Sequence, residues 1–130
     1  MVKYGTLEYF QALAAALNKD EEFAKSGIST TYIHRYTDRK NAAGGMLSFL
    51  MKFEKGKVAE VKEVDDKADA EFIGTGPYDV QVKIAKGELD GQKAMKEGSF
   101  KMKYFLFKAA RYGKTLAHMG EVARTLNPEY

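Results

Sequence analysis

The feature that most constrains this chain is a change of hydrophobic period, made twice. Up to Gly27 the apolar side chains recur every three or four positions. From Ser29 to Gly74 they alternate or run in short β-branched and aromatic blocks, and beyond Gly76 the helical spacing mostly returns. The two periods bury different kinds of surface, so helices from both ends of the chain are expected to pack on a sheet built from its middle.

Leu7, Phe10, Leu13 or Ala14, and Leu17 predict an amphipathic first helix. Asn18-Lys-Asp-Glu21 has the form of a capping box and predicts a second, short helix that Ser26-Gly27 ends. Ser29 to Thr37 reads as a strand bounded by the polar loop Asp38 to Gly45. Met46 to Glu54 is another, and Lys55-Gly56 fits a tight turn into Val58 to Val64. Asp65-Asp66-Lys67 is a further polar turn, leading to a short strand from Ala70 to Gly74. Strands joined so closely suggest an antiparallel meander.

Gly76-Pro77 opens a helix, with proline expected at its first position, and Gly87 stops it after Lys86. Asp90 can cap a short helix closed by Gly98, and Phe100 to Tyr104 alternates apolar with basic residues as a half-buried fifth strand should. A terminal helix follows from about Phe105 to Leu126. Phe105, Tyr112, Leu116, Met119, Ala123 and Leu126 form its apolar stripe. Ala109, Gly113, Ala117 and Gly120 form a second stripe of small residues, which either packs closely on the sheet or leaves room for a ligand.

At 130 residues, 45% hydrophobic and 30% charged, the chain is expected to form one domain, residues 1–130, around a single core. It has no cysteine, which excludes disulfides, thiolate metal sites and cysteine nucleophiles. No apolar run approaches the roughly 18 residues of a membrane span, and Glu8 interrupts what would have to be a signal's apolar region. A cytoplasmic location is the expectation. The net charge of +3 is too mild to imply nucleic acid, and the strand aromatics Tyr32, Tyr36, Phe49 and Phe53 have no cation run beside them. From Gly98 to Gly120, however, Lys101, Lys103, Lys108, Arg111 and Lys114 occur without one acid. Such a segment is either a solvated helix face or a surface for anionic head groups or an acidic partner.

Catalytic chemistry has little to work with. The two histidines, His34 and His118, lie on separate elements and neither has another nearby in sequence. Gly74-Thr75-Gly76-Pro77 lacks the lysine and spacing of a phosphate loop, and Asp65-Asp66 sits in a turn where aspartates commonly cap. Nothing nominates a nucleophile with its base, and no cofactor or metal is expected.

From Ala68 to Leu126 the chain resembles the sterol carrier protein type 2 family. The segments that carry the resemblance are Ala68-Asp69-Ala70-Glu71-Phe72-Ile73, Lys86-Gly87-Glu88-Leu89-Asp90, Lys93-Ala94-Met95 and Gly98-Ser99-Phe100-Lys101-Met102. The first sixty-odd residues agree in element order only. One departure stands out, since Tyr104-Phe105-Leu106-Phe107 replaces the polar pair usual after the last strand. A peroxisomal Ser-Lys-Leu address is also missing from the end.

The resemblance implies an α+β fold with a five-stranded, mostly antiparallel sheet, helices packed on it, and a long C-terminal helix over a hydrophobic cavity. It further implies a non-catalytic carrier of a fatty acid, acyl chain, sterol-like or isoprenoid lipid. Candidate lipid contacts are Phe49 and Met51 from the second strand, Phe72 from the fourth, Val80 and Ile84 from the third helix, Met95 from the short helix and Met102 from the fifth strand. Phe105, Tyr112, Leu116 and Met119 of the terminal helix would line or plug the cavity. Five of the six methionines fall in predicted packed elements, which suits walls that must accept varied tails. Lys108, Arg111 and Lys114 would meet a membrane surface or a ligand's carboxylate. The alternatives are an accessory or regulatory module whose pocket is filled by side chains, and an enzyme using His34 or His118.

Overall fold

The computed structural model describes residues 1–130. Helix α1 (Leu7–Leu17) starts where the Thr6 hydroxyl accepts a hydrogen bond from the Tyr9 amide, and it turns Tyr9, Phe10, Leu13 and Leu17 inward. A short α2 (Glu21–Lys25) follows, buries Phe23 and is closed by Ser26. The expected capping box does not form. Asn18 is instead the C-cap of α1, and its amide bridges to the backbone of Val58, accepting from the amide at 2.8 Å and donating to the carbonyl at 3.3 Å. A distant strand edge outcompetes the local cap.

Strands β1 (Thr30–Lys40), β2 (Met46–Glu54) and β3 (Lys57–Val64) pair antiparallel in chain order. Between β2 and β3 the two turn residues Lys55 and Gly56 both have positive φ, as a tight hairpin requires. Gly56 is also fixed by space, because a Cβ there would lie 2.2 Å from the Ala24 carbonyl oxygen.

The antiparallel meander stops at β3. Strand β4 (Phe72–Gly76) pairs with β1 in parallel, from Tyr32 opposite Phe72 to Tyr36 opposite Gly76, and β5 (Lys101–Lys103) adds on its far side. The sheet order is β3-β2-β1-β4-β5. Parallel pairing needs a crossover, and here the crossover ends in the loop of residues 65–71. Arg35 explains why that loop holds. It is buried on the sheet face opposite the helices, where its Nε donates to Ser48 Oγ at 2.9 Å. Its Nη2 donates to the carbonyls of Ala68 at 3.0 Å and Asp65 at 3.4 Å.

After β4 come α3 (Tyr78–Lys86), α4 (Gly91–Glu97) and α5 (Leu106–Thr125). Pro77 is the N-cap of α3 rather than its first residue. Asp90 caps α4 by accepting from the Gln92 amide at 2.7 Å, and Gly87 and Gly98 end α3 and α4 in the left-handed conformation. The helices gather on one face of the sheet, over Tyr32, Tyr36, Phe49, Met51 and Phe53 in the main core. Helix α5 leans on α1, α2 and α3, so its small-residue stripe does not close onto the sheet. Gly113 and Ala117 are exposed, and a Cβ on Gly113 would meet nothing within 4 Å.

Replacing Arg35 with methionine keeps the stem but removes the donors to Ser48 Oγ and to the Asp65 and Ala68 carbonyls, and it leaves the Ala68 carbonyl without a partner. Urea denaturation should register a loss of about 2–3 kcal/mol, whereas Lys52→Met, on an exposed ion pair of the same sheet, should change stability by less than about 1 kcal/mol.

Candidate functional site

Between α5 and the sheet the structure leaves an apolar cavity of about 180 Å³, bordered by 15 residues of which 11 are hydrophobic. Protein interiors seldom leave voids much larger than a water molecule, so its walls matter. The sheet supplies Tyr32 and His34, and Phe100, just before β5, closes one side. Helix α1 supplies Tyr9, Phe10 and Leu13, and Tyr4 lies beside them. The other walls are Gln81, Ile84 and Ala85 of α3, with Leu116, Met119, Gly120, Ala123 and Arg124 of α5. Gln81 is pinned, its amide nitrogen donating to the carbonyls of Arg35 at 2.7 Å and Gly76 at 3.0 Å.

His34 is the unusual member of this lining. Its ring lies 4.5 Å from Tyr32 and 4.8 Å from Phe10, centroid to centroid, and its Nε2 is buried with no hydrogen-bond partner. The area the side chain still exposes opens onto the cavity. Burial without a counter-charge lowers its pKa to about 3. The cavity is therefore bordered by a neutral imidazole whose unpartnered Nε2 is shielded within the surrounding packing.

A second, more open groove runs along the outside of α5. Phe72, Met95, Met102, Tyr104, Ala109 and Gly113 border it, with Gln92 and Lys96 of α4. Leu116 borders both spaces and is the wall they share.

The residues nominated from sequence distribute unevenly around these two spaces. Ile84, Leu116 and Met119 line the inner cavity, and Phe72, Met95 and Met102 line the groove. Phe49, Met51 and Tyr112 are buried in the core but border neither space, and Val80 is half-buried away from both. The expectation that Phe105 lines or plugs the cavity does not hold. Helix α5 begins one residue later, which leaves Phe105 as its extended N-cap with the side chain half exposed. Lys108 is engaged, its Nζ donating to Glu71 at 2.6 Å and to the Ser29 carbonyl at 3.0 Å, whereas Arg111 and Lys114 are exposed. Burial alone would raise the Glu71 carboxyl, but hydrogen bonds from Lys108 and Thr30 hold it below the ordinary range.

Sequence reasoning missed Tyr4, Tyr9, Phe10, Leu13, Tyr32, His34, Gln81 and Phe100 as cavity walls. The available signal was the run Tyr32-x-His34-x-Tyr36, which puts a histidine between two aromatics on one face of a strand.

His118 lies outside the cavity, where it ties α5 to α2. Its Nε2 is 2.7 Å from Asp20 and its Nδ1 is 3.1 Å from Glu22, with Glu121 at 4.0 Å. The Asp20 hydrogen bond, and then the surrounding carboxylates, raise the His118 pKa, while the Asp20 carboxyl is lowered by the same contact.

No family model matches the sequence, and no curated protein matches it at a significant level. Solved structures do match. A crystallised sterol carrier protein 2 superposes with a TM-score of 0.77 at 19% identity, covering 94% of this chain and 98% of that one. The chain has the sterol carrier protein 2 fold. A Thermus thermophilus protein described as possibly a sterol carrier protein gives 0.77 at 18% identity, over 100% of this chain and 93% of that one. The palmitated SCP2L2 of Aedes aegypti gives 0.55 at 15% identity, over 88% of this chain and 90% of that one.

The two histidines set opposite pH limbs. His118 is raised, so its contribution is complete below the ordinary histidine value of about 6.5 and is lost as pH rises through the folded value. His34 is depressed, so below about pH 6.5 the unfolded chain takes up a proton that the folded chain refuses, and stability falls as pH drops towards about 3. Melting temperature plotted against pH should peak near the ordinary histidine value. His118→Asn should flatten the alkaline limb and, by releasing Asp20, the acid limb below about pH 4, whereas His34→Leu should flatten the limb between about pH 4 and 6.5.

Proposed function

We propose that this protein is a non-catalytic lipid carrier that holds a single flexible hydrocarbon chain in the cavity under α5. The observation that carries this reading is the cavity itself, an unfilled apolar space in an otherwise packed interior. A module whose pocket had been filled by its own side chains would not leave it. The fold, shared with a sterol carrier protein 2 and with a palmitated relative, supports the same reading.

Size narrows the ligand. At about 180 Å³ the cavity lies below the roughly 300–1,000 Å³ of drug-sized pockets. A slender acyl or isoprenoid chain suits it better than a fused ring system. Rotation of Leu116 would join cavity to groove and let a longer chain continue outward. Each buried methylene contributes about 0.8 kcal/mol. About ten of them supply the roughly 8 kcal/mol of micromolar binding, and about five or more further ones offset the cost of association.

His34 adds a chemical preference. Its ring is neutral, so a carboxylate held there by one neutral imidazole would be a poorly compensated buried charge. An uncharged hydroxyl or carbonyl on the buried part of the lipid fits best, and an anionic head can meet Arg124, an exposed residue that also borders the cavity.

Extraction and native mass spectrometry of the purified protein should release a lipid near one-to-one stoichiometry, and fatty acids should displace a fluorescent analogue. Lack of both would overturn the carrier in favour of a filled module. A 12-hydroxylated fatty acid should compete about tenfold better than its unsubstituted parent, a preference that His34→Leu should abolish. Leu116→Ala should favour longer chains over short ones in the same assay.

A further inference from the structure

Apart from Met1, the side chains that replace a polar pair after β5 are the most exposed large apolar groups of the molecule. Tyr104 and Phe105 are each about half exposed, Leu106 is 76% exposed and Phe107 93%. Met95, also exposed, and Tyr104 both border the outer groove. Scattered apolar side chains on a surface need no explanation, but four consecutive ones at a helix start form a patch that water does not favour.

The charges around this patch choose its partner. Between Gly98 and Gly120 every charged residue except the helix histidine is a lysine or arginine. Two of the lysines are neutralised by acids, Lys103 by Asp69 and Lys108 by Glu71. Lys101, Arg111 and Lys114 are exposed and make no ion pair. A projecting aromatic and aliphatic tip flanked along the chain by free cations matches a bilayer interface, with apolar side chains in the acyl boundary and cations at anionic head groups. Basic surroundings also disfavour pairing of the patch with a second copy of itself, since the same cations would face one another.

We propose that the tip Tyr104–Phe107 inserts into anionic lipid surfaces, with Lys101, Arg111 and Lys114 resting on the head groups. Docking in this way brings the mouth of the outer groove, marked by Tyr104, against the bilayer. On the other side of Leu116 lies the inner cavity. The surface contact itself does not depend on the cavity holding a ligand.

The chain contains no tryptophan, so Phe107→Trp supplies a single indole at a position where packing is not disturbed. Mixed with vesicles of phosphatidylcholine and phosphatidylglycerol, this variant should show a blue-shifted emission that brominated acyl chains quench. Binding should weaken at least about tenfold in molar salt or on pure phosphatidylcholine. The triple variant Phe105→Ser, Leu106→Ser, Phe107→Ser should keep the urea midpoint and the fatty-acid affinity of the parent while losing about tenfold or more in vesicle binding.

An unshifted indole, or unchanged vesicle binding by the triple variant, would overturn the proposal. Sedimentation showing tip-dependent self-association without vesicle binding would overturn it too, and would assign the patch to a second copy. Because fatty-acid displacement in free solution is read separately, failure of the tip and failure of the carrier reading give different results.

Discussion

The parallel pairing of β1 with β4 is the constraint on which the rest of the structure depends. Antiparallel neighbours can be made locally by a two-residue turn, as β2 and β3 are. A parallel neighbour obliges the chain to return along the sheet, and the returning segment must be fastened. Arg35 does this on the face away from the helices, through Ser48 and two loop carbonyls. On the helical face the pairing sets Gly74 directly opposite His34 and Gly76 opposite Tyr36. A Cβ on Gly74 would stand 2.9 Å from the Phe100 ring, and one on Gly76 would stand 3.0 Å from the Ser99 carbonyl oxygen. These two glycines let Phe100 close down on the sheet and become the end wall of the cavity. Fastening on one face and clearance on the other are thus consequences of one strand pairing.

The cavity follows from the same geometry. Helix α5 is carried by other helices, so Leu116, Met119, Gly120 and Ala123 face a gap that larger side chains could have filled. The space of about 180 Å³ opens to solvent beside the exposed Arg124, so its apolar walls stay in contact with water until something covers them. A hydrocarbon chain that covers them removes that surface from water, which couples ligand binding to fold stability.

Element order, most boundaries and fold class were legible in the sequence because they rest on local signals. Periodicity located the helices, Lys55-Gly56 located the hairpin, and Gly87 and Gly98 marked helix ends through the positive φ they adopt. What failed depended on partners distant along the chain. Asn18 reads as a helix cap but serves β3, forty residues away. The short spacing between β3 and β4 reads as another hairpin, and nothing local in Arg35 announces that it anchors a crossover. The site was read only in part for the same reason. Residues on the stripe of α5 could be placed towards the interior, but which of them border empty space depends on how far the helix stands from the sheet. Phe105 misled because a one-residue shift in helix start removes a side chain from the stripe. His34 looked like an ordinary strand histidine because its missing partner is a property of the packed state.

Burial is graded along α5, and the gradient decides how the space beneath it can open. Met119, Val122 and Ala123 are buried, and His118 fastens the same stretch to α2, while Tyr112 is the one buried side chain nearer the start. Beyond the helix, the Tyr4 amide donates to the Glu129 carbonyl at 2.8 Å, which ties the two chain termini together. Lifting this C-terminal half would expose several apolar side chains at about 1.5–3 kcal/mol each for the larger ones. The first turns are different. Leu106 and Phe107 contribute little burial, and the Lys108 contacts with Glu71 and Ser29 are the side-chain hydrogen bonds that hold them to the body of the molecule. A partly exposed ion pair is worth about 1 kcal/mol or less. The cheaper opening is therefore at the turns of α5 before Tyr112, beside the outer groove, where the apolar tip projects.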